Sequence, residues 1–179
     1  MTVMWVIGCT ALALTCLCVF TFNDLVASRN RARAAWSGVD IQLQRRHDLV
    51  PQLVATVQGY AAHEQATLTA ITELRNRPQA GASIANRGQT EHELGSHVAR
   101  LLALQENYPQ LKASDNFLQL QHDLVAVEDR LQEARSAYNQ TVLDYNTLIQ
   151  NFPLMLFARP GGFVPAELFQ ADKTAVATT

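Results

Sequence analysis

The stretch from Asp115 to Phe152 constrains this chain more than any other. Apolar or near-apolar side chains recur there at Phe117, Leu120, Leu124, Val127, Leu131, Ala134, Tyr138, Thr141, Tyr145, Leu148 and Phe152. Their spacing alternates between three and four, the period of an α-helix laying one narrow seam against neighbouring helices; a strand would need period two. At about 1.5 Å per residue such a helix runs roughly 57 Å. Only another long helix can cover that length, so the spacing predicts an all-α, elongated bundle.

A second stretch answers the requirement. Between Asn23 and Arg77, Ala32, Trp36, Val39, Leu43, Val50, Val54, Val57, Ala61, Leu68, Ile71 and Leu74 keep helical spacing, with Arg46 and Glu64 interrupting the stripe. This reads as one long helix, kinked rather than broken at Pro51, because the periodicity resumes in nearly the same phase after the proline. The segment Pro78 to Thr90 ends it as a loop. A shorter helix is predicted from about Thr90 to Asn107, with Thr90 as N-cap and Glu93 as its capping-box partner. Tyr108-Pro109 closes it, and Ser114 or Asp115 caps the long helix. Beyond Phe152, Pro153, Pro160, Gly161, Gly162 and Pro165 mark an irregular tail, whose Phe157, Phe163, Leu168 and Phe169 direct it back onto the bundle or onto a partner. The expected course is long helix, short helix, long helix, running up, down and up. The short helix leaves part of the long pair thinly covered, a surface suited to self-association or to another membrane protein.

Val3 to Phe22 carries no charge, and its polar side chains are the hydroxyls of Thr10, Thr15 and Thr21. Twenty such residues in a helix span a hydrocarbon core of about 30 Å. Met1 and Thr2 supply none of the positive charge of a cleaved signal peptide, so the segment reads as a retained single-pass anchor that continues into the bundle. The expected division is 3–22 anchor, 23–158 helical domain and 159–179 tail. Arg29, Arg31 and Arg33 follow the anchor closely and nothing basic precedes it, which by the positive-inside rule puts the bundle in the cytoplasm. The same arginines are candidate contacts for anionic headgroups.

Composition narrows the function by exclusion. Gly and Pro are sparse, which argues against disorder and against many-stranded β architectures. A formal net charge of −2 gives no reason to expect a nucleic-acid partner. The three cysteines, Cys9, Cys16 and Cys18, all lie in the anchor, leaving the bundle without a thiol. His63-Glu64 stops short of a zinc-protease motif, since Thr67 occupies the second histidine's place. His92 and His97, five apart, cannot chelate one ion from one helix face. Gly161-Gly162 neither follows a strand nor opens a clear helix, so no phosphate loop is present. The chain therefore reads as a non-enzyme with no cofactor, metal site or small-molecule substrate.

Four stretches together resemble the LemA family of bacterial membrane proteins. They are FNDLVASRNRARAAWSGVDIQLQRRHDLVPQLVATVQGYAAHE (Phe22 to Glu64), ENYPQLKASDNFLQLQHDL (Glu106 to Leu124), ARSAYNQTVLDYNTLIQNFP (Ala134 to Pro153) and the tail motif GGFVPAELFQ. The family usually opens this region with Tyr-Asn; Phe22-Asn23 stands here, at the cost of one hydroxyl. The resemblance implies a single N-terminal membrane helix, an antiparallel helical domain and no known catalytic activity. One branch of the family is associated with magnetosome membranes, which suggests a part in membrane organisation.

Several polar residues stand out as candidate partner or register contacts. Arg46 falls on the apolar stripe beside His47, so it must snorkel or pair with an acid such as Glu128, Asp129 or Glu133. Residues one apart face different ways on a helix, so Arg45, Arg46 and His47 are not expected to form one site. Glu64 is the stripe's second interruption. Tyr138-Asn139 and Tyr145-Asn146 repeat at seven residues; the rings belong to the seam, and Asn139 and Asn146 lie beside it, where amides can hydrogen-bond across helices and set register. Phe163 and Phe169 are the tail's aromatic anchors. The function that follows is a membrane-anchored helical scaffold or interaction protein, or else an adaptor subunit of a membrane enzyme such as a quality-control protease.

Overall fold

The computed structural model describes residues 1–61, 63–76 and 83–169. Helix α1 runs without interruption from Thr2 to Gln58, 57 residues or about 85 Å, and passes through Pro51. Then come α2 (Gln65–Arg75), α3 (Ile84–Ala103), a 3-10 turn (Leu104–Glu106), α4 (Pro109–Lys112), α5 (Asp115–Leu148) and α6 (Met155–Ala158), and no strand occurs among the described residues. The fold is all-α, as the spacing predicts.

The first turns of α1 touch nothing else in the protein. Its most apolar 18-residue window has a mean hydropathy of 2.3 and is not buried, and Val3, Met4, Trp5, Leu12, Leu14 and Phe20 present their side chains outward. By length and composition this segment can cross a membrane. From Leu25 onward the same helix becomes one long wall of the bundle.

Three hydrophobic clusters show how the walls meet. Nearest the apolar segment, Leu25 packs with Tyr145, Ile149, Ala158 and Phe163. In the middle, Ala32, Val39 and Leu43 meet Leu131, Tyr138 and Val142. At the far end Val50, Leu53 and Val57 meet Phe117, Leu124 and side chains of α2 and α3. Rising numbers on α1 pair with falling numbers on α5, so the two long helices are antiparallel. Helix α3 runs with α1, because Arg87 bonds Asp40 while Glu91 bonds His47.

This corrects the expected up, down and up course, in which both long helices point the same way. The source of the difference is a chain reversal between Gln58 and Gln65. Gly59 is a weak helix former, and the backbone turns there to bury Ala61 completely. A straight continuation would carry Leu68, Ile71 and Leu74 past the start of α5 into solvent; folding back buries all three against the far-end core. Helix α2 returns the chain and α3 climbs again, so four segments run up, down, up and down.

One boundary and one seam also move. Ser83, not Thr90, caps α3, its hydroxyl accepting from the Asn86 amide at 3.2 Å, and Thr90 lies inside the helix with its hydroxyl on the Asn86 carbonyl. Of the loop expected over residues 78–90, residues 78–82 lie outside the described residues. On α5 the strict three-four seam slips by one: Val142 and Ile149 are buried, while Thr141 and Leu148 are partly exposed and Phe152 is 78% exposed. A straight helix of 3.6 residues per turn drifts from a 3.5 repeat, and over this length the drift reaches a full position.

Candidate functional site

Two polar features interrupt this core, one tying helix to helix and one tying helix to tail. The first is centred on Arg46, only 5% exposed. Its Nη1 donates to the Glu91 carbonyl at 3.2 Å and stands 3.6 Å from Glu91 Oε2, while Nη2 pairs with Glu128 of α5. His47 Nε2 lies 2.7 Å from Glu91 Oε1. Of the three acids expected, Glu128 is the one that pairs with Arg46, and it is joined by Glu91, which sequence reasoning missed. Arg46 and His47 also do share a site: Glu91 enters between the directions they point, and its two oxygens serve them separately. Helices α1, α3 and α5 are bound together at this level.

Burial pushes the Arg46 guanidinium below its ordinary pKa, the charge on Glu91 pulls it back up, and nearby Arg135 pushes it down again. A guanidinium starts so high that it stays charged at any ordinary pH. A cavity of about 390 Å³ adjoins the cluster, lined by Arg46, Glu91, Gly95, Leu124, Glu128 and Arg135 among others. Glu64 is not part of this cluster; it sits at the reversal as the residue before α2 and makes no side-chain cap. Among the described residues no three His, Cys, Asp or Glu side chains are grouped to hold a metal.

The second feature occupies the half of the bundle nearer the apolar segment. Residues 163–169 lie along α5 without helical structure, and each Tyr-Asn pair grips their main chain. Tyr145 donates its hydroxyl to the Val164 carbonyl at 2.9 Å. Asn146 then holds Ala166 at both ends, accepting its N–H at 2.9 Å and donating to its carbonyl at 3.0 Å. One heptad back the pattern repeats: Tyr138 donates to the Glu167 carbonyl at 2.7 Å, and Asn139 accepts from the Phe169 N–H at 2.9 Å and donates to its carbonyl at 3.1 Å. Seven residues of helix advance about 10.5 Å and three residues of extended chain about 10 Å, so a heptad repeat matches a three-residue repeat in the tail. The asparagines therefore set the register of the tail, where a bond across to another helix was expected.

Aromatic contacts lock both ends of the gripped segment. Phe169, 2% exposed, packs 5.6 Å from Trp36 under the Arg135 guanidinium. Phe163, 4% exposed, meets Phe22 edge-on at 5.7 Å, with Arg29 stacked 4.8 Å from its ring centre. Burial raises the pKa of Tyr138, helped by Glu167; it also raises that of Tyr145, opposed there by Arg29 and Arg33. Both hydroxyls thus keep the proton they donate. Of the three candidate headgroup residues, Arg29 and Arg33 share a helix face and line a cavity of about 370 Å³ with Trp36, Tyr145 and Val164, whereas Arg31 is exposed and does not line it.

The model of the LemA family matches residues 35–179, most of the chain. The chain belongs to the LemA family. Among its relatives are the Magnetosome protein MamQ of Magnetospirillum gryphiswaldense, 25% identical over 83% of this chain and 64% of that protein, and MamQ 2 of Paramagnetospirillum magneticum, 26% identical over the same shares. Protein LemA of Metamycoplasma hominis is 24% identical over 84% of this chain and 69% of the relative. The chain thus spans less than two thirds of the length of the magnetosome relatives. Family membership and the exposed apolar helix together support a membrane-associated protein of the LemA type.

A signal for Glu91 was present in this LemA chain. Glu91, Leu94, Val98 and Leu101 follow the three-four spacing and all are buried, so Glu91 breaks the α3 stripe just as Arg46 breaks that of α1. Two opposite charges on two apolar stripes are each other's natural partners.

Proposed function

We propose that this protein is a single-pass, membrane-anchored scaffold that organises other membrane components without catalysing a reaction. The observation that carries the reading is the continuity of α1: one helix leaves the apolar segment and becomes the bundle's wall with no intervening linker. A hinge-free junction transmits orientation, which suits a part that positions others. The LemA-type fold and the magnetosome names of two relatives support a role at membranes. The basic Arg29, Arg31 and Arg33 just beyond the apolar segment support a cytoplasmic bundle under the positive-inside rule. In and next to α6, whose Ala158 packs in one cluster with Leu25, Phe152, Met155 and Leu156 are 78%, 48% and 57% exposed, and on this reading they settle into the headgroup layer.

The alternative is an adaptor subunit of a membrane enzyme such as a quality-control protease, with bundle faces docking the enzyme. Extraction of the full-length protein in mild detergent, followed by mass determination and identification of co-eluting proteins, separates the two. A homo-oligomer without a companion supports the scaffold. A stoichiometric complex with one membrane enzyme replaces it with the adaptor.

A further inference from the structure

The Tyr-Asn ladder is a receptor for an extended peptide, built in the manner of a sheet edge. Its hydrogen bonds all go to main-chain atoms, so they recognise an extended backbone whatever its side chains. Specificity comes from the aromatic seats for Phe163 and Phe169 and from the partly buried Ala166. Val164 and Glu167 point outward, and Pro165 falls where the ladder asks for no N–H donor. The segment that fills this receptor is connected through a tight turn. Gly162 has φ +70°, the only positive φ among the described residues, and a Cβ on Gly161 would come within 2.9 Å of the Phe163 ring.

We propose that the ladder also accepts residues 163–169 of a second copy of this chain, so that neighbouring molecules on one membrane link by exchanging tails. Exchange preserves the ladder bonds and ring contacts of residues 163–169, because the incoming segment is chemically identical to the one displaced, and it opens the connecting turn, in which the Gly162 N–H donates to the Arg159 carbonyl at 3.1 Å. What opposes it is the local concentration of the protein's own tail, on the order of millimolar for a short tether. Confinement of parallel, anchored molecules in one plane raises the competing concentration of neighbouring tails, which makes the linkage density-dependent. The proposal rests on the scaffold reading and gives it a means of self-association.

The test uses two full-length variants carrying different tags, reconstituted separately and together in bilayer vesicles. Phe169→Ala keeps the ladder but weakens its own tail; Asn139→Ala/Asn146→Ala keeps the tail but breaks its own ladder. In the mixture an unoccupied ladder meets an unoccupied tail, so hetero-pairs captured through one tag exceed wild-type pairs by about tenfold, the advantage of removing the tethered competitor. Circular dichroism establishes that both variants are folded. As a second readout, a labelled peptide of residues 162–169 binds Phe169→Ala more tightly than wild type and does not bind once Asn139 and Asn146 are also replaced. Hetero-pairs no more abundant than wild-type pairs, with peptide binding indifferent to the asparagines, overturn tail exchange. If wild type and both variants then self-associate equally, the scaffold reading survives and uses another surface; if none associates, both fall.

Discussion

The Arg46 network and the Tyr-Asn ladder are both polar insertions in an apolar seam, yet they do opposite things. The first buries charge. Arg46 and Glu91 are each about as dry as the leucines around them, and neither can lose its partner without leaving an ion in a medium that solvates it poorly. The second is just as dry at Tyr138 and Tyr145, each 2% exposed, but it uses neutral groups, so a bond that opens strands no ion. A buried ion network fixes which helices pack and at what level; a ladder of amides and hydroxyls fixes where one extended segment lies along α5. The same helix α5 carries both, Glu128 in the far half and Tyr138 to Asn146 in the half nearer the membrane segment.

Breaking one partner of the ion network should have the largest effect. Glu91→Leu leaves Arg46 buried without its main counter-charge and should lower stability by about 3–5 kcal/mol, read from denaturant unfolding of the full-length protein in detergent. Adding Arg46→Met to it should recover most of that loss, since an apolar pair fills the site without desolvation. If the single and double variants unfold together, the charges are not coupled. Glu128→Gln should matter far less, under about 1 kcal/mol, because its side chain is 51% exposed.

The ladder should break locally. Asn139→Ala or Asn146→Ala removes two neutral hydrogen bonds, about 1–3 kcal/mol in all, felt mainly by the tail. Hydrogen exchange at the Phe169 or Ala166 amide should speed up while the amides around Leu53 and Phe117 keep their protection. Uniform acceleration would mean that the tail is an inseparable part of the core.

Alkali offers a reversible version of the same cut. The folded-state pKa values of Tyr138 and Tyr145 are raised above the usual value near 10, so folding favours the protonated phenols. Their contribution is complete below about pH 10 and is lost as pH climbs through the raised values. Tail protection should decline in that window, and Tyr138→Phe/Tyr145→Phe should remove this component of the decline. The smallest change in stability is expected from Phe152→Asp/Leu156→Asp, within about 0.5 kcal/mol for exposed positions. Its signature should instead be reduced quenching of a nearby reporter by headgroup-level quenchers, and unchanged quenching would lift α6 off the membrane.

Much of the fold was legible because helices advertise themselves by period. The α5 seam as far as Tyr138, the apolar segment, the start of α5 just after Ser114 and the aromatic return of the tail all follow from spacing and composition, although Ser114 makes no side-chain capping bond. The chain reversal was not, because Ala61, Leu68, Ile71 and Leu74 keep the same periodicity whether the helix continues or folds back. Periodicity reports which residues share a face, not which way the face points. For the site, Arg46 was conspicuous as a charge on a stripe, and Glu91 was readable by the same rule once α3 is taken to start at Ile84.

Sequence alone determined that this chain is a long helical rod beginning in an apolar span, since a three-four repeat and twenty uncharged residues admit no other solution. Tertiary structure decided the antiparallel pairing of α1 with α5, the joining of Arg46 and His47 on Glu91, and the tail as the ligand of Asn139 and Asn146. Those outcomes depend on which surfaces are left uncovered once the chain has turned at Gly59. Hydrophobic burial is non-directional, so only the assembled core settles them.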